Sequence, residues 1–228
     1  MGQHLPKKYH LLIPDLPGHG ESRVIQPFSV SYAARLIAIL IENHAHNGRA
    51  HVVGLSLGAH VAVELSSSHP EVVDDMFISG FEIYNHNSLS PYVPHILWTM
   101  QRIENIVPRR LIRWLMDDAD LEKVDLSVCT LQLCQQIVDP MTETEWPSPW
   151  RARTLIVAAG KRGLIPSSDH LDDAKRLAQI GKEVNMSTFA VTHPDMRHPW
   201  NRQAPELFAQ TTLAWFDKKE LPHGFQFI

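Results

Sequence analysis

One short segment limits what this chain can fold into more than any other: Gly54-Leu55-Ser56-Leu57-Gly58. It follows the apolar run Ala50-His51-Val52-Val53 and precedes Ala59-His60-Val61-Ala62-Val63-Glu64-Leu65, so the local pattern is strand, tight turn, helix. A serine at the apex of such a turn is held in a strained backbone with its hydroxyl exposed, and glycine at both ends of the pattern relieves the crowding that side chains would cause. A strand that feeds straight into a helix belongs to an alternating architecture, with parallel strands and helices on both faces of the sheet.

The rest of the chain carries the same rhythm, with one interruption. Tyr9 to Pro14 is a short apolar run stopped by proline, which predicts a buried strand entering the turn-rich Asp15-Leu16-Pro17-Gly18-His19-Gly20. Apolar residues at Tyr32, Leu36, Ile39 and Leu40 recur at helical spacing and predict an amphipathic helix that stops before Gly48. Met76 to Ser79 reads as a strand. Strand candidates then disappear, and helices are predicted over Ile96 to Ile106, Arg109 to Met116 and Leu126 to Val138, flanked by Pro91 and Pro94 on one side and Pro140, Pro147 and Pro149 on the other. The alternation resumes with a strand at Thr154 to Ala158, a helix from about Ser167 to Ile180, a strand at Val184 to Val191 and a last helix at Pro205 to Phe216. The expected fold class is α/β: a mostly parallel sheet of about five strands, helices on both faces, and an inserted helical cap. The core is expected to comprise residues 1–82 and 151–228, and the cap residues 83–150.

Composition removes several classes of function. A chain of 228 residues with 44% hydrophobic content can bury a substantial core. Its 21 basic and 25 acidic residues give a formal charge of −4, and no Lys or Arg run exists that would follow a phosphate backbone, so nucleic acid is not an expected partner. Cys129 and Cys134 match neither a disulfide framework nor a zinc pair and read as buried thiols. No apolar stretch approaches the roughly 18–20 residues of a membrane span. A soluble, cytoplasmic protein is expected. The histidines, including His44, His46, His51 and His60, fall on different elements and do not form the H-E-x-x-H pattern, so neither a metal nor a cofactor is expected.

Ser56 is therefore the candidate nucleophile, and the N–H of Leu57, opening the following helix, is placed to donate to a developing oxyanion. This segment together with Pro14-Asp15-Leu16-Pro17-Gly18-His19-Gly20-Glu21-Ser22 resembles the α/β-hydrolase superfamily of serine esterases and lipases. The similarity continues at His198-Pro199-Trp200-Asn201-Arg202-Gln203-Ala204-Pro205-Glu206-Leu207-Phe208, which is similar to the family's catalytic-histidine loop and the opening of its last helix. The resemblance implies His198 as the base, with His193 its nearest rival, and the order serine first, histidine last is the family's order. It further implies cofactor-free cleavage of an ester or thioester of a small, largely apolar molecule. The helical lobe, with Trp98, Met100, Ile103, Trp114, Leu115 and Met116, would either roof the pocket or form the lobe's own core.

Two departures from the family pattern bear on this expectation. The family's Gly-x-x-Asp-x-x-x-Pro is represented by Gly160-Lys161-Arg162-Gly163-Leu164-Ile165-Pro166, which is one residue short and has no aspartate. Glu82, just past the strand Met76 to Ser79, is the preferred substitute for the orienting acid, and Asp169 is the alternative. The similarity also begins at what the family counts as its fourth strand. The strands before it, and the His-Gly loop that supplies the family's second oxyanion donor, are expected to be absent. The segment Leu11 to Ile13 must then pair directly with His51 to Val53 or leave a sheet edge unsatisfied. Two other readings follow from these departures: a catalytically degenerate protein that binds a small molecule or a partner in the same pocket, and a lyase or isomerase on the same fold.

Overall fold

The structure, a computed structural model, describes residues 4–84, 90–121, 123, 125–142, 146–162 and 168–228. The stretch Gly163 to Pro166 and the expected helix start at Ser167 lie outside the described residues.

Five strands form one sheet in the order β1 (Ala50–Leu55), β2 (Val73–Ser79), β3 (Arg153–Ala159), β4 (Thr188–His193) and β5 (Gln226–Phe227), parallel except for the last pair. Alternation along β2 and β3 shows why both faces are covered. Met76, Ile78, Ile156 and Ala158 point to one side, where they pack with α1 (Val30–His44), α2 (Leu57–Ser68) and α6 (Leu171–Lys182). Phe77, Leu155 and Val157 point to the other and pack with Trp200 of α7 (Trp200–Gln203) and with Phe208 and Trp215 of α8 (Pro205–Phe216). A strand buried on both faces reads as a continuous apolar run, which is the sequence at Met76–Ile78 and Leu155–Ala159. The flanking helices are amphipathic. In α1 the buried residues are Ala33, Ala34, Ala38 and Ile41, and the Ser29 hydroxyl caps its start by accepting from the Tyr32 N–H at 3.1 Å.

Between β2 and β3, which are sheet neighbours, the chain forms α3 (Val93–Ile106), α4 (Arg109–Leu115) and α5 (Leu131–Thr142). Among them α3 packs on α5. Cys129 and Cys134 are buried there as free thiols, with sulfurs 3.9 Å apart.

Three sequence expectations are corrected. The segment Tyr9 to Pro14 forms no strand, and β1 is an edge of the sheet paired only with β2. Residues 8–14 instead share with β1 and α1 the walls of a groove of about 830 Å³, so their N–H and C=O groups make no ladder with β1. The helix expected from Leu126 starts at Leu131, because the Asp125 carboxylate accepts both the N–H and the hydroxyl of Ser127 and holds a turn there. The strand expected from Val184 starts at Thr188. Val184 and Asn185 donate back to the Gly181 carbonyl and close α6, and the Asn185 side chain accepts from the Ser187 N–H.

Candidate active site

Ser56 stands between the end of β1 and the start of α2 with φ 53° and ψ −119°, a backbone region that costs a non-glycine residue of the order of 1–3 kcal/mol and persists only where its surroundings enforce it. The Ser56 N–H donates to the Ser79 carbonyl at 2.9 Å, which fastens the turn to the end of β2. The need for glycine is unequal at the two flanks. A Cβ at Gly54 would lie 2.3 Å from the Gly58 carbonyl oxygen, whereas one at Gly58 would meet nothing within 4 Å. Crowding thus explains Gly54 and leaves Gly58 unexplained. Leu57 is the first residue of α2, where the helix leaves N–H groups without an internal partner and its dipole is positive.

His198 lies in the loop from β4 into α7, and the same strand end receives it. Gly80, at φ 66°, directly follows β2, and a Cβ there would stand 2.6 Å from His198 Cε1, so only glycine lets the imidazole settle against the backbone. Two residues after His198, the fully buried Trp200 donates its indole N–H to Ser79 Oγ at 2.8 Å and pins the loop. Ser79 and Gly80 are therefore the junction at which the turn of Ser56 and the ring of His198 meet. Ser56 Oγ makes no hydrogen bond to His198 in this structure. Catalytic hydrogen bonds are often long in an unliganded site and tighten with substrate. His193, the rival base, is buried on β4, packs edge-on against Phe225 and lies beside Gly224, and burial lowers its pKa.

The carboxylate on His198 is that of Asp169, not Glu82. Asp169 Oδ1 lies 2.6 Å from His198 Nδ1, and its side chain is 1% exposed. Its other oxygen accepts the Ala159 N–H at 2.7 Å, while its own N–H donates to the Ala159 carbonyl at 2.8 Å. Asp169 is thus locked to the end of β3 by paired bonds that leave one oxygen for the imidazole. Glu82 points instead at the start of α6, where its Oε1 accepts the His170 N–H at 3.0 Å. It is nonetheless near: Glu82, Asp169 and His198 each present one atom, all within 4.8 Å of one another.

Charge shapes the titration of this group. Burial is the largest single influence on His198 and pulls its pKa down. The hydrogen bond to Asp169, the charge of Asp169 and the charge of Glu82 together outweigh it and leave the imidazole above its ordinary value. Glu82 is raised, first by burial and then by the neighbouring Asp169 charge. Behind the site, His60 of α2 stacks on Phe81 at 4.2 Å between ring centroids, and burial lowers its pKa to about 4.

The structure thus brings Ser56, Leu57 and His198, all singled out in the sequence, to one edge of the sheet, and it sets Asp169, the alternative acid, rather than Glu82 on the imidazole. Sequence reasoning missed Gly80, although a glycine immediately after a strand end was a readable sign of close backbone approach.

Comparison with known proteins follows the same lines. The family described as alpha/beta hydrolase family matches residues 2–211. An AB hydrolase superfamily protein of Gibberella zeae is 36% identical over 220 residues, covering 96% of this chain and 74% of that protein. A pimeloyl-[acyl-carrier protein] methyl ester esterase of Neisseria meningitidis is 35% identical over 76 residues, covering 33% of this chain and 28% of that enzyme. Among solved structures, a thermophilic esterase from Thermogutta terrifontis superposes with a TM-score of 0.61 at 18% identity, covering 90% of this chain and 78% of that one. At that identity the likeness speaks to fold alone. No helix among the described residues is long and apolar enough to cross a membrane.

Proposed function

The chain belongs to the alpha/beta hydrolase family, and on that premise we propose that it is a serine hydrolase cleaving an ester or thioester of a small, largely apolar substrate through Ser56, His198 and Asp169. The observation that carries this reading is the 2.6 Å contact between Asp169 and His198 Nδ1, made by a ring that rests on Gly80 beside the carbonyl anchoring Ser56. Asp169 holds a proton on Nδ1, so Nε2 is the free base. Nε2 takes the proton of the Ser56 hydroxyl as the oxygen attacks the substrate carbonyl, and later returns it to the leaving group. The buried Asp169 charge stabilises the imidazolium formed in between. The Leu57 N–H at the positive end of α2 faces the developing oxyanion, and one such donor is typically worth about 2.7–4 kcal/mol of barrier. The base works only when neutral. Because the folded pKa of His198 is raised above its ordinary 6.5, activity climbs with pH through that raised value.

The test is Ser56→Ala assayed on short activated esters together with fluorophosphonate labelling of the parent protein. The expected outcome is covalent labelling of Ser56 and loss of at least about 10³-fold in kcat on substitution. Unchanged turnover in Ser56→Ala would remove the proposal. The reading as a binder without catalysis draws on the missing Ser56–His198 hydrogen bond, and absence of labelling is its signature. Product analysis separates hydrolysis from a lyase or isomerase reaction.

A further inference from the structure

We propose that Glu82 is a positioning residue for this site: it fastens the segment that carries Asp169 and places a second negative charge beside His198. The inference rests on the Ser56–His198–Asp169 reading and extends it.

The geometry is reciprocal. His170, directly after Asp169, is the N-cap of α6, and no side-chain hydrogen bond of its own caps that helix. Glu82, 88 residues away in sequence, instead accepts the N–H of that N-cap residue with its Oε1 at 3.0 Å, the bond a capping-box carboxylate would make. In return Asp173, in the first turn of α6, accepts the N–H of Ile83 at 3.1 Å. Residues 82 and 83 and the start of α6 therefore hold each other by two bonds running in opposite directions. Asp169 sits between this tie on its C-terminal side and the paired bonds to Ala159 on its N-terminal side. Asp169→Asn tests the acid itself; Glu82 tests what keeps that acid in place.

The groups facing Glu82 determine what its charge does. They are Asp169, His198 and His170, with Tyr84 two residues on and His60 bonded to the Glu82 carbonyl. Asp169 opposes the Glu82 charge, while His198 and the backbone N–H of His170 favour it. When the imidazole takes the Ser56 proton, the cation forms beside two carboxylates, and the more distant one adds to its stabilisation without bonding to it.

The test separates charge from anchoring. Glu82→Gln keeps an oxygen that accepts from His170 and removes the charge. Glu82→Ala removes both. The acid limb of kcat/KM for a short activated ester is expected to move to lower pH by about half a unit to one unit in Glu82→Gln, with kcat reduced several-fold and KM little changed. Glu82→Ala should show the same displacement, a further loss in kcat and a lower melting temperature, and Glu82→Gln, which keeps the bond to His170, should lack these last two effects. A direct readout uses the imidazole resonances of His198, titrated by NMR in the parent and in Glu82→Gln; the His198 pKa is expected to be lower in the variant. An unchanged His198 titration in folded Glu82→Gln overturns the charge role. An ester kcat and a melting temperature in Glu82→Ala equal to those of Glu82→Gln overturn the anchoring role. The titration needs no turnover, so absence of Ser56-dependent activity would count against the hydrolase reading while the Glu82 inference is still decided by NMR.

Discussion

The sheet and the helical stretch between β2 and β3 handle apolar surface in opposite ways. On β2 and β3, Met76, Phe77, Ile78, Leu155 and Ile156 are at most 1% exposed. On α3 and α4, Ile96, Met100, Ile103, Ile106, Leu111 and Trp114 are 45–82% exposed, and Pro94 alone is buried among the described residues of the two. The difference shows where positional accuracy comes from. A catalytic side chain must be held to about 0.5 Å, which a close-packed two-sided sheet can do and a partly wrapped helix pair cannot. Each side chain assigned to the chemistry hangs from a strand end: Ser56 from β1 and β2, Asp169 from β3, His198 from β4 and against β2.

Substitutions on the two sides should separate sharply. The largest effect is expected at Asp169. Asp169→Asn cannot hold the Nδ1 proton in place or offset the imidazolium charge, and a fall in kcat of about 10⁴ is expected with the fold retained, checked by steady-state kinetics and circular dichroism. Phe77→Ala, at 0% exposure between Trp200 and Phe208, should cost about 3–5 kcal/mol in denaturant unfolding.

His60 comes next. Its folded pKa of about 4 lies below the unfolded 6.5, so the unfolded chain binds a proton first as pH falls. The stability tied to neutral His60 is complete above pH 6.5, declines below it and is gone by about pH 4, a change of the order of 3 kcal/mol. Unfolding measured at steps across that window in the parent and in His60→Leu should show a shallower slope in the variant. The smallest effect is expected at Trp114, 76% exposed: Trp114→Ser should alter stability by no more than about 0.5 kcal/mol. A cost there comparable to that at Phe77 would mean that the helices are wrapped as tightly as the sheet and would erase the contrast.

How much of this was readable in advance depended on how far apart in sequence the cooperating residues lie. The turn at Ser56 was legible because strand, apex and helix are contiguous and Gly54 is compelled by an atom only four residues away. The last helix was legible to its ends because proline at its first position fixes where it begins. The acid was not. Asp169 reaches His198 through its pairing with Ala159 and the hold of Glu82 on His170, and neither contact leaves a local pattern. Tyr9 to Pro14 failed for another reason: an uninterrupted apolar run has no period to distinguish a ladder strand from a segment lying over a groove.

The helical stretch leaves and rejoins the sheet through one doorway. The Tyr84 N–H donates to the Met141 carbonyl at 2.7 Å, and the rings of Phe81 and Trp146 lie 6.1 Å apart. A chain clamped at its own two ends is a closed loop in the polymer sense, and the entropy of closing it grows only with the logarithm of its length, about 0.6 kcal/mol per doubling. Residues could be added to or removed from its interior with little effect on the sheet. Asp169, by contrast, is itself bonded both to the end of β3 and to the imidazole. Loop statistics alone therefore leave the helical stretch free to diverge while Ser56, Asp169 and His198 stay where they are.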